Sequence, residues 1–256
     1  MGWEHNIVIK SQQELALMRE AGRVNAKALA AVRELIRPGV TTAELNAAAE
    51  EIIRKSGGFP TFLKYPGPYP YPATICISIN EELVHGIPGK RKLRTGDVVS
   101  VDCGTTLEGF VGDAAITVGV GEISSLAQRL IETTEQALYE GIQQMRAGNR
   151  TGDVSSAIQR YVEPRGFNVP REYTGHGVGR KMHEGPQVPN YGTPGRGPVL
   201  RPGMTIALEP MLLAGTYKTR VMPDEWTVVS ADGALTAHFE HSVAVTEGEP
   251  VILTLP

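Results

Sequence analysis

Apolar positions along the chain recur with two different periods, and the change from one to the other happens twice. Leu17, Ala21, Val24, Ala28, Val32 and Leu35 return every three or four residues, which marks one face of a helix. Ser11 with Glu14 forms a capping box ahead of them, and "RPG" at 37–39 stops the helix. Thr41 with Glu44 opens a second helix bearing Leu45, Ala48, Ile52 and Ile53, which ends at Gly57 and Gly58. A loop of alternating proline and tyrosine follows, "YPGPYPYP" at 65–72. The pattern then becomes strand-like in "ATICISI", "DVVSVDCG" and "GDAAITVGV". Residues 100–118 read as a hairpin around a turn at 107–109. With an even loop, Asp102 and Asp113 emerge on one face, where like charges destabilise a sheet unless something compensates them.

Near Ser124 the pattern restarts. "SSLAQRLIETTEQALYEGIQQM" and "RAGNRTGDVSSAIQRYV" repeat the helix–stop–helix signal, and glycine-rich loops with strands run to the end. The restart is an internal repeat. At an offset of 109, Arg37, Gly39, Thr42, Leu45, Ala48 and Gly57 fall on Arg146, Gly148, Thr151, Val154, Ala157 and Gly166. At an offset of 107, "LRTGDVVSVD" falls on "LRPGMTIALE", and Asp102 lands on Glu209. At an offset of 127, "DAAITVGVGE" falls on "EHSVAVTEGE", and Asp113 lands on Glu240. Each half is therefore expected to hold two helices and a strand hairpin with a carboxylate on each arm. A pseudo-two-fold arrangement would aim four carboxylates at one point. Such a cluster demands compensation. Protonation relieves some of the charge; divalent cations, which favour oxygen ligands, relieve more.

Composition narrows the field around this site. At 256 residues, 41% hydrophobic and 21% charged, the chain has enough apolar residues for a full core. A net charge of −3 gives no general pull toward nucleic acid or anionic lipid. The start, "MGWEHNIVIK", carries no signal-peptide or myristoylation pattern, and no run of about 18 apolar residues predicts a membrane span. Cys76 and Cys103 are the only cysteines, which fits a reducing, cytoplasmic setting without disulfides.

The second half adds "YTGHGVGRKMHEGP" at 173–186, where glycines around His176 allow close backbone approach. His183 and His85 share a His-x-x-Pro pattern, so the repeat pairs them; His176 has no counterpart in the first half. One imidazole and four carboxylates form a reasonable ligand set for two divalent ions. "VHGIP", "VVSVDCG", "GFVGDAA", "TGHGVG", "IALEPM" and "HFEHSVAVTE", in this order, resemble the type I methionine aminopeptidase family over nearly the whole chain.

The resemblance implies an α/β (α+β) pita-bread fold of the creatinase/aminopeptidase kind. Its two pseudo-two-fold-related halves share a central antiparallel sheet, with helices packed outside. Residues 1–10 would be an N-terminal extension and 11–256 one catalytic domain, with halves at about 11–122 and 124–256. It also implies a metal-dependent aminopeptidase that removes the initiator methionine from nascent polypeptides. Two divalent ions (Co, Mn, Fe or Zn) would be held by Asp102, Asp113, His176, Glu209 and Glu240, with Asp113 and Glu240 bridging. A water or hydroxide between the ions would attack the scissile carbonyl. Glu209 would act as general base, His183 would stabilise the tetrahedral intermediate, and His85 would contact the scissile amide nitrogen. Tyr71, Cys76, Met182 and Trp226 match the methionine pocket by position and suit a thioether. The expected partners are methionyl peptides, nascent chains and, through them, the ribosome; the protein is expected to be a monomer with no membrane or specific nucleic-acid site.

Two other readings compete. One is a related exopeptidase that cleaves before proline; the chain's length and its start almost at the first helix argue against the extra N-terminal domain of those relatives. The other is a binding module that kept the fold but lost hydrolysis, against which stand the five ligand-type residues. His5, His238 and His241 are read as background histidines, with His241 pointing away from Glu240 on a strand. Cys103 is read as a small core residue facing away from Asp102, and "GKRKLR" at 89–94 as a solvated loop.

Overall fold

The computed structural model of the chain describes residues 6–256, so His5 lies outside the described residues. The first half runs through α1 (Gln12–Leu35), α2 (Thr42–Lys55), β1 (Phe59–Pro60), β2 (Ile75–Ile79), β3 (Glu82–Val84), β4 (Val98–Leu107) and β5 (Phe110–Gly119). The second runs through α3 (Ser125–Gln143), α4 (Thr151–Val162), β6 (Thr174–Gly177), β7 (Glu184–Pro189), β8 (Thr205–Leu208) and β9 (Met211–Leu213). It ends with β10 (Thr219–Val221), β11 (Val228–Ser230), β12 (Thr236–His238), β13 (Glu240–Ala244) and β14 (Val251–Ile252). Both capping boxes of the first half form as their residue types demand: the Ser11 and Thr41 side chains accept from the amides of Glu14 and Glu44. In α2 the buried row is Leu45, Ala49 and Ile53, so Ala49 rather than Ala48 sits deepest, as strict i,i+4 spacing requires.

The strands of the central nine-stranded sheet run antiparallel in the order β1-β4-β5-β13-β8-β6-β7, with β2 beside β4 and β14 beside β13. One apolar cluster joins α1 and α2 to β2, β4 and β5. A second joins α3 and α4 to the strands of the other half. Cys103 is fully buried in the first, facing away from the site.

The internal repeat is written in the backbone hydrogen bonds. Gly39 N–H donates to Leu93 O, and Gly148 N–H to Leu200 O. Leu93 N–H donates to Val40 O, and Leu200 N–H to Asn149 O. The isolated bridges Thr41–Lys92 and Arg150–Val199 match in the same way. Every one of these pairs obeys the offsets of 109 and 107. Gly39 and Gly148 both sit at positive φ, +92° and +91°, a conformation that glycine adopts without Cβ strain.

The structure differs from the sequence reading in two respects. Asp102 and Asp113 do lie on a true hairpin, β4–β5, closed by Glu108 and Gly109, both at positive φ. Glu209 and Glu240 do not: β8 and β13 are neighbours, but residues between them form β9 to β12 before the chain returns. The register also corrects the third offset. Ser100 pairs Thr117 as Ala207 pairs Ser242, and Val98 pairs Gly119 as Thr205 pairs Ala244. These pairs fix the offset at 125, which puts Ala115, not Asp113, in register with Glu240. Ala115 and Glu240 then face each other across β5 and β13, at the pseudo-two-fold itself. A shift of two residues keeps the side chain on the same face, so the error left the facing of Asp113 intact.

α1 lies directly on β5 through two glycines. A Cβ on Gly112 would meet Gly22 N at 2.6 Å, and one on Gly22 would meet Leu253 O at 2.1 Å. Gly22→Ala therefore forces α1 off the C-terminal segment, at a cost of about 1–3 kcal/mol. Thermal unfolding should show a lower Tm for Gly22→Ala and an unchanged one for Gly89→Ala, where nothing lies within 4 Å. An unchanged Tm at Gly22 would contradict this packing.

Candidate metal centre

Sheet register alone brings the carboxylates together. Cys76 pairs Asp102 across β2 and β4, Asp102 pairs Ala115 across β4 and β5, and Ala115 pairs Glu240. His241 pairs Leu208, so Glu209 ends the same row one residue beyond β8. Asp113 pairs Gly104, two residues along from Asp102 and on the same face. His176 of β6 pairs Ala207, two residues before Glu209, and so joins that face. Ala115 keeps the middle of the row small. A carboxylate there would stand directly opposite Glu240; placed at Asp113 instead, it leaves room between the acids.

The polar atoms converge. One oxygen of Asp113, one of Glu240 and a ring nitrogen of His176 lie within 4.8 Å of one another. His176 Nε2 is 3.7 Å from Asp113 Oδ2 and 3.4 Å from Glu209 Oε1. Its Nδ1 lies 2.9 Å from Gly177 O. A carbonyl only accepts, so Nδ1 carries the proton and Nε2 turns its lone pair toward the carboxylates. Asp102 Oδ1, Asp113 Oδ1 and Glu240 Oε1 are buried with no hydrogen-bond partner among the described residues. Lone pairs facing carboxylate oxygens, and orphaned carboxylate oxygens, are the complement of a cation. The residues present fit divalent metal.

Burial sets the electrostatics. It raises Asp113 to about 7, partly opposed by a hydrogen bond to Glu240. It raises Asp102, Glu209 and Glu240 well above the ordinary carboxylate range, helped in each case by the charges of neighbouring acids. It lowers His176 to about 3, aided by His183, and His183 itself to about 4. His85 falls to about 4 by burial and the nearby His183. Without cations the site is therefore driven to hold protons on its acids and none beyond neutrality on its imidazoles.

All eleven residues singled out in the sequence line one cavity of about 150 Å³: Asp102, Asp113, His176, Glu209, Glu240, His85, His183, Tyr71, Cys76, Met182 and Trp226. His85 sits at positive φ, +61°, an uncommon conformation for a side-chain-bearing residue and a mark of a functional position. Apolar residues close the far side of the cavity: Phe62, Tyr71, Ala73 and Cys76 form a buried cluster with Tyr65, Met182 and Trp226 against it.

Three residues here escaped the sequence reading. Phe62 and Tyr65 enter from the segment around the proline-rich loop. His238, read as background, is buried, with Nε2 3.8 Å from Glu209 Oε2 and 3.9 Å from Glu240 Oε2. The signal was only nearness in sequence: His238 ends β12 and Glu240 opens β13, with Phe239 between them. His241 does point away, its Nδ1 2.8 Å from Thr254 Oγ1.

Residues 16–247 match metallopeptidase family M24. The chain is 49% identical over 249 residues to a methionine aminopeptidase of Clostridium perfringens, covering 97% of this chain and 99% of that protein. It resembles the crystal structure of methionine aminopeptidase from Thermotoga maritima with a TM-score of 0.95 and 47% identity, over 98% of this chain and 100% of that one. A prolidase from Pyrococcus furiosus shares the fold, with a TM-score of 0.79 at 22% identity, over 97% of this chain and 66% of that one.

A carboxylate must lose its proton to hold a metal ion, so raising the pH through about 7 would free Asp113 for a divalent ion and tighten its binding; lowering it would have the opposite effect. Titration calorimetry with manganese should show affinity at least about tenfold higher at about pH 8 than at about pH 6, with protons released on binding. Affinity independent of pH would contradict the electrostatics described.

Proposed function

The chain belongs to metallopeptidase family M24, and from its 49% identity to a methionine aminopeptidase we infer that it removes the N-terminal methionine from polypeptides in a reaction that depends on bound divalent metal. The observation that carries this reading is the convergence of buried Asp113, Glu240 and His176 with partly buried Asp102 and Glu209 beside an aromatic, sulfur-bearing recess. Asp102, Asp113, His176, Glu209 and Glu240 would hold two divalent ions. When bound, such ions lower the pKa of water and polarise a carbonyl.

The protein's own groups supply the rest. Glu209 takes the proton of the attacking water. His183 donates a hydrogen bond to the carbonyl oxygen as it gains charge. His85, held neutral by burial, contacts the scissile amide nitrogen. Tyr71, Cys76, Met182 and Trp226, with Phe62 and Tyr65, surround the methionine side chain; aromatic faces and sulfur suit a flexible thioether. The edge-on contact of Tyr71 with Trp226, ring centres 5.1 Å apart, stiffens that recess.

Residues 11–256 act as one catalytic domain whose two halves meet at the site. The substrates are methionyl peptides and nascent chains, met by a monomer in the cytoplasm near the ribosome. Both cysteines are free thiols, as a reducing compartment allows. Among the described residues no helix is long and apolar enough to cross a membrane.

Peptides beginning Met-Gly should be cleaved once manganese or cobalt is added, while peptides beginning Xaa-Pro with Xaa other than methionine should not; cleavage of Xaa-Pro alone would overturn the reading. Glu209→Ala should abolish turnover and keep the native circular dichroism spectrum. His183→Ala should lower kcat by about 10²–10³. An effect on KM alone would reassign His183 to ground-state binding.

A further inference from the structure

We propose that Tyr65 is a positioning residue: its phenol donates to His183 Nδ1 and so fixes the proton of the neutral His183 ring on Nε2. The proposal rests on the role given above to His183, because an imidazole that donates to a carbonyl oxygen needs its N–H on the nitrogen facing substrate.

The contact is direct. Tyr65 Oη and His183 Nδ1 are hydrogen-bonded, and the two rings meet edge-on with centroids 5.4 Å apart at 69°. The His183 ring also packs against His176, centroids 4.3 Å apart. His183 thus touches two rings, one of which carries a hydroxyl. The site uses the same device once already, at His176, where Gly177 O fixes the opposite nitrogen. There the partner is a carbonyl and the proton sits on Nδ1. At His183 the partner is a hydroxyl, which can donate a hydrogen bond to Nδ1 and so keep the ring proton on Nε2. The two histidines end with opposite tautomers, suited to opposite tasks: one offers a lone pair, the other a proton.

The loop that carries Tyr65 is built to hold it still. Pro66, Pro68, Pro70 and Pro72 each fix their own φ. Tyr65 N–H donates to Phe62 O at 2.8 Å, and Tyr65 O accepts from Tyr71 N–H at 2.9 Å. Tyr71 Oη donates to Gly86 O at 2.9 Å, which ties the loop to the segment beside His85. At Gly67 a Cβ would strike the Trp226 ring at 2.4 Å, so the loop lies flush on the indole. The repeated proline and tyrosine of 65–72, which the internal repeat leaves unexplained, thereby gain a purpose.

Tyr65→Phe removes the hydroxyl and keeps the ring that lines the cavity. With the metal-loaded protein it should lower kcat about 10–100-fold with KM and divalent affinity unchanged, as loss of a positioning partner does. Nitrogen-15 NMR of the histidine rings in the ion-free protein gives a readout that needs no turnover, with the His183 signals identified by their loss in His183→Ala. The parent should show the Nε2–H form, and Tyr65→Phe a mixture of the two tautomers. An Nδ1–H form in the parent, an unchanged kcat in Tyr65→Phe, or a loss of divalent affinity in step with kcat would each overturn the proposal. If His183→Ala lowers kcat and Tyr65→Phe does not, only the role of Tyr65 falls. If His183→Ala leaves kcat unchanged, the role given to His183 falls first.

Discussion

The gathering of Asp102, Asp113, Glu209 and Glu240 around one small cavity, largely withdrawn from water, is the constraint on which the rest of the structure turns. Withdrawing carboxylates from water is costly, and gathering several of like charge multiplies the cost. Among the described residues no lysine or arginine lines the cavity to offset it, and burial keeps the nearby imidazoles neutral. The compensation is left to something that enters from solution. A metal-dependent hydrolase needs that arrangement, since a site already neutralised by lysine or arginine would have little attraction for a cation.

The fold delivers this cluster by duplication with a fault in it. Two helices and a pair of antiparallel strands occur twice, and corresponding hydrogen bonds recur between the halves. If the symmetry were exact, residue 115 would mirror Glu240 at the axis. The chain places alanine there and moves the first half's second acid two residues along, to Asp113. His176 and the excursion from β9 to β12 exist in one half only. These departures turn a symmetric ring of acids into an unsymmetric centre, in which carboxylates and His176 share a cavity with aromatic and sulfur-bearing residues.

Much of this was legible in the sequence because it rests on local rules. Capping boxes, the period-two strands and the ordered repeats depend on neighbours in the chain, and the structure contains the helices and strands they predict. The even hairpin loop fixed the shared face of Asp102 and Asp113 for the same reason. What was hidden depends on register and on distant contact. The offset between β5 and β13 is a matter of which amide meets which carbonyl, and a two-residue slip preserves the polarity pattern, so Asp113 could be matched to Glu240 without visible conflict. The missing second hairpin was masked because a thirty-residue excursion and a tight turn leave the same strand patterns. His238 was discounted as one histidine among several, and nearness to Glu240 in sequence was its only signal. Phe62 and Tyr65 belong to an irregular loop, where no periodicity reports which way a side chain faces.

The central claim is that acids from both halves share bound cations, and anomalous diffraction tests it most directly. Crystals grown with manganese should show two anomalous peaks within coordination distance of Asp102, Asp113, His176, Glu209 and Glu240, with Asp113 and Glu240 touching both. Peaks elsewhere on the molecule, with the space between these side chains filled by water alone, would contradict the account.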